Sequence, residues 1–400
     1  MRAAGVEGSE IKSLLAVLSG ELRGVFTPVE GRPLRWSLRM ASSDGGLRKG
    51  EVTVTGADFA LTIAIGYEPA SGRLSWRVSE GRVDMAAWLP ALAARPDLSS
   101  VLAGVSATGM LTITGAGTWM DGVATGGLRA EWVEGTVRND AQGWSLDGVT
   151  LRAGDEAAEF FKGRIPVELT VRTINTSRFG ARSFTLGAVI NDFERVEVKS
   201  ARVEIAGGEV TAEPFAVSVA EPAVGVTLVM ERVGLQDLIV FVPTTLSQAS
   251  GRINGRLRLD WNPQDGVRVG AGKLSLEGSE PTTLRLVSTP GFLTGKMSPR
   301  FTFLSPEWGV LSRWFSSPNE AYDALEEIER GKVGLRVDLL EARLTPEGDE
   351  RGRSASVLIR ARPERAGGVI GVVTFEINVS GPLAAVLKLG MQQGLSLQVK

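Results

Sequence analysis

The chain has 400 residues, 43% of them hydrophobic and 22% charged, which suits two or three packed units or one extended structure. Lys plus Arg number 44 against 46 for Asp plus Glu, so no basic surplus exists to neutralise phosphate backbones, which argues against nucleic acid as a partner. There are no Cys and no His residues, which removes disulfides, Ser-His-Asp and Cys-His catalysis and ordinary zinc sites but leaves carboxylate, Lys or magnesium chemistry open; with no motif for these, neither cofactor nor metal is expected.

The start, MRAAGVEGSEIKSLLAVLSGELRG, lacks the apolar core of a signal peptide, and no apolar run is long enough to span a bilayer as a helix. The chain is therefore read as cytoplasmic or as the downstream part of something longer. Ser9 and Lys12 share the spacing of a serine nucleophile with a lysine base, but no companion motif follows, and a capped helix start near Ile11–Leu18 is the simpler reading.

From there the dominant signal is alternation at period two, bounded by Gly, Pro, Asp and Asn, the pattern of strands with one buried face. Strands are expected at Leu61, Ile63 and Ile65, then at Leu74, Trp76 and Val78, whose neighbours Arg73, Ser75 and Arg77 point the other way. The pattern continues through Leu111 and Ile113, through Leu128, Ala130 and Trp132, and through Val196, Val198, Val203 and Ile205. It resumes at Leu257, Leu259 and Trp261, at Val333, Leu335, Val337 and Leu339, and at Val373, Phe375, Ile377 and Val379. The fold class is therefore mainly β, and the 49 Gly residues supply turns and bulges. One helix is expected in SSPNEAYDALEEIERGK, capped by Ser317 with Pro318 at its first position, Gly331 after its last turn, and Ala321, Leu325 and Ile328 as its apolar stripe.

Two phrases repeat. VDMAAWLP, with Asp84, and QDLIVFVP, with Asp237, lie 153 positions apart (237 minus 84), and each reads as a capped apolar turn or two stopped by Pro90 or Pro243. Three further matches keep the same order: Gly-Glu-Val-Thr at Gly50 and Gly208, SATG with ASG ahead of Met110 and Arg252, and GGLRAEWVEG with GAGKLSLEG. Four matches in register point to two copies of one β module. The expected organisation is a leading helix and strands over 1–49, repeats over 50–206 and 207–289, and a C-terminal β region over 290–400 with a helix near 318–330.

The Gly-x-Gly runs at Gly115 and Gly266–Gly272 lie among strands and open no helix, so turn or bulge is preferred to a phosphate cradle. Asp155, Glu156 and Glu159 read as an acidic turn rather than paired catalytic carboxylates. So many one-sided apolar faces, with so little helix to cover them, leave two architectures: a sheet packed on itself as a sandwich, or a trough holding something apolar.

The segment from Gly207 through GRINGRLRLDWNPQDGVRVGAGKLSLEG, with the closing GVVTFEINVSGPLAAVLKLG, resembles the YdbH family of Gram-negative envelope proteins. The similarity is best over Gly207–Lys400 and departs from the family's pattern at Pro290–Tyr322. The resemblance implies a place with AsmA-like and TamB-like proteins: an elongated antiparallel sheet curled like a taco, non-enzymatic, carrying phospholipid acyl chains through the periplasm between inner and outer membranes. At about 4.8 Å per strand, roughly 25 strands would give a groove of about 120 Å. It further implies an upstream inner-membrane anchor. Groove-lining positions are then Leu74, Trp76, Val78, Leu111, Ile113, Trp132, Leu257, Leu259, Trp261, Val373, Phe375 and Ile377. A small outer-membrane lipoprotein is expected to add to the last strand through Val369, Gly371 and Val379. The alternative is a closed β scaffold in envelope assembly with no lipid cargo.

Overall fold

A computed structural model describes residues 20–29, 32–42, 46–93, 102–155, 160–177, 179–238, 246–262, 266–302, 316–365 and 368–380. The expected helix at Ile11–Leu18, with Ser9 and Lys12, lies outside these residues, as do Glu156 and Glu159. Among the described residues twenty-two strands are linked by antiparallel pairing, and two short strands, Arg300–Thr302 and Ser316–Pro318, form a separate ribbon. The chain divides into two compact units, Met1–Val203 with Pro214–Pro222, and Glu204–Glu213 with Ala223–Lys400.

The first unit is a meander of ten strands, each pairing antiparallel with the next: Gly20–Val29, Arg32–Ser42, Arg48–Thr55, Phe59–Glu68, Arg73–Asp84, Met110–Met120, Val123–Asn139, Trp144–Gly154, Ile165–Thr176 and Gly180–Asn191. β-Branched and aromatic residues alternate with Thr, Ser and charge along these strands, which suits a pleated surface wet on one side. In the second unit the order runs Gly208–Ala212, Val224–Gly234, Arg252–Asn262, Gly266–Leu276, Leu335–Leu344, Arg353–Pro363 and Val373–Ser380.

Both units contain the same local arrangement. A long strand bulges near its end, turns into a helix, and is followed by a short strand, a Gly of positive φ, and a strand that pairs back onto the first. The Gly residues are Gly109 (φ 105) and Gly251 (φ 101), and their carbonyls accept the first helical N–H, from Met85 and Leu235, at 3.0 Å in each case. The preceding residue donates to the turn before the neighbouring strand: Asp84 to Asp58 and Gly234 to Ala206, both at 2.9 Å.

This geometry makes Gly234, not Asp237, the equivalent of Asp84. Asp84 caps its helix by accepting from the Ala86 N–H at 2.9 Å, whereas Asp237 is the third residue of the helix Leu235–Leu238. The two Gly-Glu-Val-Thr sequences fall on non-equivalent strands, because Gly208–Ala212 takes the position of Phe59–Glu68, directly beside the pre-helical strand. The other two matches fall on equivalent positions: Trp132 faces Leu111 as Leu276 faces Ile253.

Pro90 does not stop its helix, which runs Met85–Ala93. The bond that Pro90 removes belongs to the Ala86 carbonyl, and both residues are exposed, so water satisfies that carbonyl. The later helix is Glu320–Glu329, capped by Asn319, whose side chain accepts from the Tyr322 N–H at 3.3 Å. Ser317 and Pro318 are taken up by the short ribbon, which displaces the expected start. Gly331 (φ 66) closes the C-terminus, donating to Ile328 at 3.0 Å.

Candidate functional site

The registers place apolar side chains in rows that cross the strands. In the first unit one row runs Phe59, Val83, Leu111, Trp132, Leu151, Leu169 and Leu186, each directly opposite the next. Six steps at about 4.8 Å make it about 29 Å long. A parallel row contains Leu22, Leu38, Val52, Ile63 and Val78, ending on Gly115 and Leu128. The second unit carries Val210, Met230, Gly255, Leu274, Ala342, Val357 and Ile377 across seven strands.

The opposite face is wet and charged. Arg39 donates to Glu21 at 2.8 Å, Arg152 to Glu131 at 2.7 Å, and hydroxyls meet across strands at Ser37 and Thr53 (2.7 Å). The hydrogen bond from Arg152 holds the Glu131 carboxyl below the usual carboxylate range, so this face keeps its charge near neutral pH.

Not all of the predicted lining is equally open. Leu74, Trp76, Val78 and Ile113 are half-buried. The Trp76 ring lies over Gly117, which has no side chain to block it, and meets Phe161 edge-on at 5.8 Å. Leu111 and Trp132 are covered: the helix Met85–Ala93 lays Met85 and Leu89 on the cluster they share with Val149 and Val171. Trp132 is buried and its indole N–H donates to the Thr108 carbonyl at 3.1 Å, which satisfies its one polar group.

Leu257 and Leu259 are half-buried, and Trp261 is exposed at the end of its strand, one residue before the Asn262–Gly266 pair. Val373 and Phe375 belong to a core instead: Phe375 is 7% exposed and packs in one cluster with Ile328 of the helix Glu320–Glu329, together with Leu284, Leu335 and Ala361. Ile377, opposite Val357, is half-buried. The strand itself begins at Val373, so Val369 and Gly371 precede it as exposed loop, and only Val379 of the expected edge contacts lies in it, opposite Ala355. Leu228, Met230 and Leu274 join the apolar face without having been singled out, although the alternation in VTLVMERVG signals the first two.

A segment over the C-terminal core is pinned by one buried carboxylate. Glu329 is 1% exposed; its oxygens accept from the Gly291 N–H (2.9 Å), the Leu293 N–H (2.8 Å), the Thr294 N–H (3.1 Å) and the Thr294 hydroxyl (2.9 Å). Burial pushes this carboxyl up, but the four donors outweigh it and hold it below its ordinary value. The loop so held places Phe292 and Leu293 against the core.

Among the described residues no group of His, Cys, Asp and Glu could hold a metal ion, and no helix is long and apolar enough to cross a membrane. A family model described as "YdbH-like: Intermembrane phospholipid transport protein YdbH" matches residues 3–303. The chain belongs to the YdbH-like family. The match covers the meander and the second unit as far as the ribbon, whereas the resemblance read from sequence was placed best over Gly207–Lys400. No curated protein and no solved structure matches the chain. YdbH-like membership sets intermembrane phospholipid transport as the class of activity, phospholipid as the cargo class and the cell envelope as the place.

Proposed function

We propose that the apolar face is the surface on which phospholipid acyl chains lie while they pass through the periplasm between inner and outer membranes. The observation that carries this reading is the half-buried row from Leu22 to Leu128 in the first unit and the row from Val210 to Ile377 in the second, each crossing seven strands and backed by a face of paired charges and hydroxyls. A trough curled about such rows would give each methylene about 0.8 kcal/mol relative to water, while headgroups stay hydrated at the rim. Successive sites along a row are nearly equivalent, so sliding changes the free energy little and needs no catalytic group. The lining is then the half-buried set Leu74, Trp76, Val78, Ile113, Leu257, Leu259 and Ile377, with Trp261 at its rim. The helix-covered Leu111, Trp132, Val373 and Phe375 support it from beneath the two helices. A small outer-membrane lipoprotein extends the sheet at the edge of Val373–Ser380 away from Arg353–Pro363, and inner-membrane anchoring follows only if a further segment lies upstream of this chain. The two helix-covered stretches favour a second reading, a scaffold whose faces are dry.

Native mass spectrometry with lipid extraction, on protein purified without detergent from a Gram-negative host, tests the two. Co-purified phospholipid in the wild type, lost in folded Leu259→Asp and Ile113→Asp variants, is the expected result. A clean apo mass, with both variants unfolded, would hand the apolar faces to the scaffold.

A further inference from the structure

The second Gly-x-Gly run, set aside in the sequence as a turn, lies in mid-strand on the charged face. Ala271 and Gly272, with Leu257 and Leu344, form the floor of an open cleft of about 600 Å³, and Thr227, Arg256, Arg258, Lys273, Arg343 and Thr345 stand around it. Ala271 is the one small side chain among these residues, and Gly272 adds none: a Cβ there would come within 2.8 Å of Leu257. Some rows on the charged faces alternate in sign, as in Glu21, Arg39, Glu51 and in Glu131, Arg152, Glu168. Here Arg256, Lys273 and Arg343 face each other on three adjacent strands. Like charges directly opposite destabilise a sheet, so this row calls for a counter-charge. Glu213, Asp260 and Glu341 offset the arginines from outside, at Arg256, at Arg258 (2.9 Å) and at Arg343 (3.8 Å). Lys273, in the middle, has no carboxylate partner among the described residues.

We propose that this cleft binds a phosphate-type oxyanion, free or carried on a lipid headgroup, between Lys273, Arg256 and Arg343 and above Ala271. The site lies on the face opposite the apolar rows, so it stands whether or not those rows carry hydrocarbon. Anion charge relieves the lysine and its two flanking arginines, and the Thr227 and Thr345 hydroxyls add donors.

Titration calorimetry of the whole chain with inorganic phosphate, at ionic strength held constant with chloride, reads the site directly. Saturable binding is expected, weakened about tenfold by Lys273→Gln through loss of a charge-assisted bond. Ala271→Leu keeps every charge but fills the floor, and should abolish binding in a variant whose circular dichroism and melting match the wild type. Arg195→Gln, on a charged strand of the other unit, should bind as the wild type does. Tighter binding of glycerol 3-phosphate than of phosphate assigns the site to a lipid headgroup, and equal binding assigns it to free phosphate; both uphold it. Absence of any response beyond chloride, or wild-type affinity in both the Lys273 and Ala271 variants, overturns it.

Discussion

Replacing Glu329 with Ala removes the acceptor for three backbone N–H groups and one hydroxyl at a position that is 1% exposed. An unsatisfied buried donor costs about 1–3 kcal/mol, and because the three amides belong to one loop the costs do not add fully, so about 3–5 kcal/mol is expected. Glu329→Gln keeps one oxygen but turns an NH₂ group toward N–H donors, and should cost about half as much. The charge also sets a pH dependence. The folded carboxyl titrates below its usual 4.5, so its stabilisation is complete above that value and is lost as pH falls through the lower folded value. Urea unfolding gives the total, and hydrogen exchange at the Leu293 and Thr294 amides separates local release of the loop from global unfolding. A Glu329→Ala variant within about 1 kcal/mol of wild type, with both amides still protected, would refute the accounting.

Two further outcomes are expected. A Gly117→Val side chain meets the Thr125 carbonyl oxygen first and then starts within 2.6 Å of the Trp76 ring, so it should both strain the strand pairing and displace that ring from Phe161, at about 3 kcal/mol or more; Trp76→Ala should relieve only the ring's share, and strict additivity in thermal melts would remove the ring contact from the account. Asp349 is held down to about 2 by hydrogen bonds from the Arg353 side chain first and then from the Arg353 and Arg351 N–H groups; carbon NMR should find that value, and Arg353→Met should move it toward 3.8.

The strands were legible because period-two alternation is a local property: Leu74, Trp76 and Val78 share a face with no knowledge of what lies beside them. What covers a face is not local. Phe375 and Leu259 read alike in sequence, yet one is sealed by Ile328 from a helix 47 positions earlier (375 minus 328) and the other is half-open. The shared strand–helix–strand arrangement left its trace in SATG and ASG, at Gly109 and Gly251, whose positive φ only a Gly takes easily, but Gly-Glu-Val-Thr misled because alternating strands reuse the same few letters. Glu329 gave no signal at all. Among Glu326, Glu327 and Arg330 it looks like one more solvated charge, and only the loop from Gly291 to Thr294 makes it a buried acceptor.

Each apolar row takes one residue from each strand it crosses, and consecutive strands of the meander lie side by side and antiparallel, with the helix Met85–Ala93 and a short strand intervening once, between Arg73–Asp84 and Met110–Met120. The meander can therefore be lengthened or shortened by whole hairpins, about 10 Å at a time, without retuning the remaining rows. An odd number of strands would reverse the chain's direction at the join, and a single inserted residue would flip a strand's greasy side outward unless a bulge absorbed it. Length in such a protein is a quantity that duplication edits in even steps, while the cross-section stays the same.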